Sequence, residues 1–254
     1  VTLRSGSTTG VGANAAANAL IANVDIINMS AGGGSLTVPL VDALIEANPR
    51  VTFVKSAGNR GTSPGNNTTV PAMSPNIITV GALNRDFTRR ADFSSFSDGA
   101  SPIKPDLMAP GEYVNAAQSR DVDNNARTDD FGRVFLGDDF TRAGATTGSI
   151  TGTSFAAPHV SGAAALLYDY ARKSPAKYDA DAVDFRVIKA NLLFGASTNS
   201  PTGDVLKRFG GANWAQDTAG TLGDLAPNHL KVTRSLDPEL GAGMLRVDRS
   251  LRSY

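Results

Sequence analysis

The stretch Gly152-Thr153-Ser154-Phe155-Ala156-Ala157-Pro158-His159 constrains this chain more than any other, because it turns on a glycine and runs straight into a long apolar segment. Residues 154–172 read as a helix rich in Ala and Leu on nearly every face, which predicts a central, buried element. Pro158 falls in its first turn, where a missing N–H breaks no intrahelical bond. A hydroxyl at such a helix start lies beside unpaired backbone N–H groups and the positive end of the macrodipole. Taken alone, Ser154 is most simply a helix cap. It is also where a nucleophile would be placed. A serine oxygen needs a neighbouring base, and the intermediate it forms needs donors aimed at a new negative charge.

Upstream, helix-like and strand-like segments alternate: a helix over 12–22, a strand over 24–29, a helix over 38–48, then strands over 51–54 and 76–80. Alternation of this kind predicts an α/β fold with a parallel sheet, and strands rich in Ile and Val with little polar alternation predict cover on both sheet faces. A further helix is expected over 184–194 and a closing turn and strand over 241–246. With 254 residues, 41% of them hydrophobic, the chain can bury one substantial core and reads as one domain, 1–254. Two polar, Gly/Pro-punctuated stretches, about 115–149 and 197–240, read as surface insertions.

Lys+Arg and Asp+Glu both number 24, so no general attraction to nucleic acid or an anionic membrane is expected. The absence of cysteine excludes a disulfide framework and zinc–thiolate sites. No apolar run reaches the length of a membrane span.

The nucleophile-like motif closely resembles that of the subtilisin-like serine proteases, in which Gly-Thr-Ser is followed by small residues and Pro-His. Further segments resemble the family in family order: Val24-Asp25-Ile26-Ile27-Asn28-Met29-Ser30, Ser56-Ala57-Gly58-Asn59-Arg60-Gly61, Phe93-Ser94-Ser95-Phe96-Ser97, Lys104-Pro105-Asp106-Leu107-Met108-Ala109-Pro110-Gly111 and Gly241-Ala242-Gly243-Met244. The resemblance implies a subtilisin-like three-layer fold, with a parallel central sheet and helices on both faces. It implies a serine endopeptidase acting through an acyl-enzyme on Ser154, with Asn59 as oxyanion donor. It also implies that Ser30, Ala31, Gly32 and Gly33 edge the cleft, where an extended polypeptide would pair, and that Ala57 and Gly58 wall the primary pocket. A secreted or cell-surface location follows from the same resemblance.

The family's Asp-Thr/Ser-Gly and His-Gly-Thr motifs do not occur in this sequence, whose two histidines are His159 and His229. His159 belongs to the nucleophile motif and is expected to point into the packing around the helix; His229 reads as an ordinary surface residue. The chain is therefore expected to be the C-terminal part of a catalytic domain, with the triad His and Asp upstream, and to show negligible peptidase activity by itself. The competing reading is a non-catalytic peptide-binding module. A nucleotide-binding domain is disfavoured, because no Gly-x-Gly-x-x-Gly or Walker-type segment follows a strand.

No cofactor is expected for the chemistry, and no metal-site residues are assigned. Asp121, Asp123 and Asn125 alternate as in a calcium loop, but Ala126 and Gly132 stand where that loop wants glycine and a bidentate Glu, so they read as a solvated acidic loop. The resemblance leaves room for structural calcium. Arg85, Arg89 and Arg90 read as a solvated basic turn.

Overall fold

A computed structural model describes residues 24–31, 37–62, 68–97, 102–117, 147–211 and 236–254. Its centre is a four-stranded parallel sheet in the order β1 (Ile26–Met29), β2 (Thr52–Ser56), β3 (Ile78–Leu83), β4 (Leu107–Pro110). Ile26 pairs with Thr52, Val54 with Ile78, and Val80 with Leu107. Every residue of β2 and β3 is buried, as cover on both faces requires.

Side-chain alternation along β2 separates the two faces. Thr52 and Val54 face helix α2 (Thr153–Lys173), where the hydroxyls of Thr52 and Tyr168 lie 3.0 Å apart and Val54 joins Val160, Ala164 and Leu167 in the main core. Phe53 faces the other way and packs with Val41 and Ile45 of helix α1 (Val38–Glu46). Val41 and Ile45 are one turn apart on α1, which fixes its inward side. Leu83, Met108, Leu206, Leu240 and Met244 form a third cluster. Helix α3 (Phe185–Gly195), capped by the Asp184 side chain on the Arg186 N–H, adds Ile188 and Leu192 to the main core.

Helix α2 is central but buried along one stripe rather than all round. Thr153, Ala156, Ala157, Val160, Ala163, Ala164, Leu167, Tyr168 and Ala171 are buried, while Leu166 and Tyr170 are exposed. The helical period selects which apolar residues meet the sheet. The residues 197–211 do not stand off the surface: Leu206 is fully buried, and Ser197 bridges Met244, which in turn bridges Met108 of β4. The chain closes with helix α4 (Val247–Ser253), which the sequence reading did not anticipate. A two-stranded antiparallel pair, β5 (Val114–Ala117) and β6 (Thr147–Ile150), flanks residues 118–146, so Asp121, Asp123 and Asn125 lie outside the described residues.

Arg90 corrects the reading of a solvated basic turn. Its side chain is buried, with Nε on Glu239 Oε2 at 2.7 Å and the guanidinium donating to the carbonyls of Ala91, Asp92 and Ser94 over the Phe96 ring. A second buried charge cluster ties the sheet end together. Asp106 accepts from Lys104 Nζ (2.7 Å) and pairs with Lys189 Nζ (2.8 Å), and its Oδ2 also takes the Thr79 N–H at 2.6 Å.

Candidate active site

The site is assembled where β1, β2 and α2 converge. Helix α2 is entered through Gly152, whose backbone (φ 153°, ψ 153°) serves as the N-cap without a capping side chain. That conformation suits glycine, and Gly152 is held by its N–H on the Gly111 carbonyl at 2.7 Å. Ser154 is consequently not the cap. It lies inside the first turn, half-buried, and its hydroxyl donates to the Ser30 carbonyl at 2.8 Å. Its own N–H is one of the first-turn donors that a helix leaves open, and takes no partner among the described residues.

Asn59 follows the end of β2 and is exposed. Its Oδ1 accepts twice from Thr153, from the backbone N–H at 2.9 Å and from the hydroxyl at 2.8 Å. The Asn59 side chain thus performs the capping that Gly152 cannot, and the same contact fixes which end of the carboxamide faces outward. With Oδ1 committed inward, Nδ2 is the end free to donate. A Cβ built on Gly152 would stand 3.3 Å from Nδ2, which places that amide against the glycine turn leading to Ser154.

Gly58 adopts φ 116°, and a Cβ there would stand 2.9 Å from Thr69 Cγ2. Its N–H donates to the Thr153 hydroxyl at 3.1 Å, so Thr153 joins the β2 end to the α2 start through both neighbours, Gly58 and Asn59. Ala57 is buried, with its carbonyl accepting the Thr69 N–H at 2.9 Å. Across the site, Ser30 is half-buried and Ala31 exposed; Gly32 and Gly33 lie outside the described residues.

The structure therefore brings Ser154, Asn59, Ser30, Ala57 and Gly58 to one place. His159 stands apart. It is exposed, not packed inward as expected, because five residues from Ser154 carry it round the helix to the open side, and its Nδ1 lies 2.8 Å from the Phe155 carbonyl. His229 lies outside the described residues. No group of His, Cys, Asp and Glu side chains among the described residues is arranged to hold a metal ion, and no described helix is long and apolar enough to cross a membrane.

Sequence reasoning missed two residues here. Thr153 was read only as part of the motif, yet it is what orients Asn59. Lys55, next to last in the buried strand β2, is fully buried, with Nζ 2.6 Å from the Ser56 carbonyl and 3.1 Å from both Ser56 Oγ and Thr69 Oγ1. The available signal was a lysine interrupting Thr-Phe-Val-Lys-Ser-Ala-Gly, where an otherwise apolar strand runs into the site.

Comparison with known proteins bears on the family and the fold. Residues 1–211 match the sequence profile of the subtilase family. The chain is similar to subtilisin amylosacchariticus of Bacillus subtilis subsp. amylosacchariticus, 36% identical over 148 residues that make up 57% of this chain and 31% of that protein. It is also similar to the subtilisin of Bacillus pumilus, 35% identical over 148 residues, 57% of this chain and 42% of the relative. The chain thus spans less than half the length of these relatives. In fold it is similar to the prenylagaramide maturation protease PagA, with a TM-score of 0.59 and 24% identity over 94% of this chain and 65% of that one.

Proposed function

The chain belongs to the subtilase family, and from that premise we propose that it carries the nucleophile and oxyanion donors of a serine endopeptidase. Ser154 Oγ attacks the carbonyl carbon of a peptide bond and passes its proton to an imidazole. Asn59 Nδ2 and the Ser154 N–H stabilise the oxyanion, collapse expels the amine with that proton, and water hydrolyses the acyl-enzyme. The imidazole and its carboxylate partner come from the upstream Asp and His motifs of the family, outside this sequence. The chemistry draws on no cofactor, and any calcium that the resemblance implies is structural. The substrate is a polypeptide bound extended along Ser30 and Ala31 in a secreted or cell-surface setting.

The observation that supports this reading most is the double contact of Thr153 with Asn59 Oδ1, because it turns Nδ2 outward beside Ser154. A peptide-binding module without hydrolysis is favoured by one observation: His159, the histidine among the described residues, is turned away from Ser154. The two are separated by treating the product of the complete gene with a fluorophosphonate and locating the label by mass spectrometry. Stoichiometric labelling of Ser154, lost in Ser154→Ala together with peptide cleavage, supports the enzyme. A folded product that binds peptides but neither labels nor cleaves leaves the binding module. Residues 1–254 expressed alone are expected to label negligibly.

A further inference from the structure

A polar side chain interrupts the apolar face that β1 turns toward α2, and both ends of it are engaged. Successive side chains of a strand point to opposite faces. Ile27 and Met29 pack with Val41 and Phe53 on the α1 side, while Ile26 packs against the main core under α2. Asn28 therefore shares the α2 face with Ile26, exposed and in register with Val54 of β2. Its Nδ2 donates to Ser30 Oγ at 2.9 Å, and its Oδ1 accepts from Ser161 Oγ at 2.9 Å. Ser161 is half-buried on α2, about two turns beyond Ser154 and on the same face of the helix. Its hydroxyl also lies 3.2 Å from the Ala157 carbonyl one turn back, the longer of its two contacts. Because the Ser154 hydroxyl donates to the Ser30 carbonyl at 2.8 Å, Ser154, Ser30, Asn28 and Ser161 form a ring that the first turns of α2 close.

The ring lies where the chain leaves the sheet. β1 ends at Met29, and Ser30 is the next residue. Asn28 holds the Ser30 side chain from the strand, Ser154 holds its carbonyl from the helix, and Ser161 ties Asn28 to that same helix. Hydrogen bonds exposed to water contribute little net stability, since water replaces them when they are lost. What this set of contacts does contribute is a fixed distance between the edge that would pair with a peptide and the oxygen that would attack it. We propose that Asn28 is a positioning residue. With Ser161 it holds the Ser30 backbone in register with Ser154, so that a peptide lying along Ser30 and Ala31 presents its carbonyl to the nucleophile.

This inference rests on the peptidase reading for where the peptide lies, and it adds a residue that touches neither the substrate nor the reacting atoms. Main-chain pairing along an edge supplies much of the affinity for an extended peptide, so a displaced Ser30 weakens peptides that use the edge. A small reagent that meets only Ser154 and the oxyanion donors does not sample the edge. Loss of the Asn28 contacts therefore separates peptide recognition from the reactivity of Ser154, which a general loss of structure would not do.

The test uses the complete gene product with Asn28→Ala, Ser161→Ala or Ser30→Ala, the last of which keeps the carbonyl and loses only the hydroxyl that Asn28 holds. Turnover of an acetyl-tetrapeptide p-nitroanilide is compared with the rate of labelling by a small alkyl fluorophosphonate. Binding of the matching tetrapeptide amide is measured in a Ser154→Ala background. Asn28→Ala is expected to lower kcat/KM for the anilide about tenfold more than it lowers the labelling rate, and to weaken amide binding by a similar factor. Ser30→Ala should reproduce this selective loss, and adding Asn28→Ala to it should cost little more. Ser30→Ala and Ser161→Ala break the same set of contacts, so the selective loss can be read whether or not Asn28→Ala folds. Peptide and labelling losses of equal size, no loss in either, or additive losses from Asn28→Ala and Ser30→Ala would each overturn the positioning role while leaving the peptidase in place. Weaker amide binding in Asn28→Ala, with a parent that neither labels nor cleaves, would uphold the positioning role and refute the peptidase. A folded parent that neither binds nor cleaves the peptide refutes both.

Discussion

Thr153 donates twice to one atom of Asn59, its backbone N–H at 2.9 Å and its hydroxyl at 2.8 Å both ending on Oδ1. A carboxamide held this way cannot rotate to exchange its ends without breaking two bonds, so the donor end stays presented beside Ser154 before substrate arrives. Donors fixed in advance stabilise a developing charge without reorganisation when it forms.

Asn59→Ala removes that donor and should lower kcat about 100- to 1000-fold with little change in KM, the size of effect measured for the corresponding loss in a subtilisin. Steady-state kinetics on the complete gene product checks it. Asn59→Asp is the sharper variant: it can still accept from Thr153 but turns an oxygen toward the oxyanion, so it should be no better than alanine.

Thr153→Val keeps the backbone contact with Asn59 and loses the hydroxyl that joins Asn59 to the Gly58 N–H. The buried Gly58 N–H is then left open, at a cost of about 1–3 kcal/mol in stability. Thr153 acts only by positioning Asn59, so kcat should fall while KM holds, and the loss should be smaller than for Asn59→Ala. In the double variant the Thr153 effect on kcat should largely vanish. Additive losses would refute the positioning role.

Much of this architecture was legible in the chain, and the failures share a cause. The start of α2 could be read because a glycine turn, a hydroxyl and an apolar helical run coincide, and β2 and β3 because buried parallel strands are plainly apolar. The apolar run nevertheless stops at Val54, and the expected strand stops with it. The strand continues to Ser56 because the lysine is buried along with it. Arg90 misled in the same way: its partner Glu239 is far away in sequence, so nothing local announces that the guanidinium is satisfied. β4 was passed over because four residues closed by Pro110 show no periodicity. The side on which α2 packs was not readable, as its apolar residues surround the helix and only the sheet chooses among them.

Asp106→Asn tests the second buried charge cluster. The aspartate answers two ammonium groups, Lys104 and Lys189, so its neutralisation leaves both without a counter-charge at the end of the sheet. Breaking a buried pair from one side costs about 3–5 kcal/mol, and urea unfolding followed by tryptophan fluorescence or circular dichroism should show a loss of that size. The group lies away from Ser154, so the kcat of the folded fraction should be retained.

Lys55→Met is expected to raise stability, and the pH dependence of the gain identifies its origin. Desolvation lowers the Lys55 pKa from 10.5 to about 8 in the folded protein. Between those values the unfolded chain binds the extra proton and the folded one does not, so unfolding free energy rises with pH across about 8 to 10.5. Below 8 both states are protonated, and the folded state bears the full penalty of the buried charge. At 1.36 kcal/mol for each pKa unit this penalty has a ceiling of about 3 kcal/mol, and methionine, of similar length and without the charge, should remove most of it at pH 7. Lys104 is also lowered to about 8 and titrates in the same direction, so the informative quantity is the difference between variant and parent, measured by chemical denaturation from pH 7 to 10. The gain should be largest at pH 7 and shrink toward pH 10. A difference that stays constant with pH would mean that the buried ammonium is not the destabilising element.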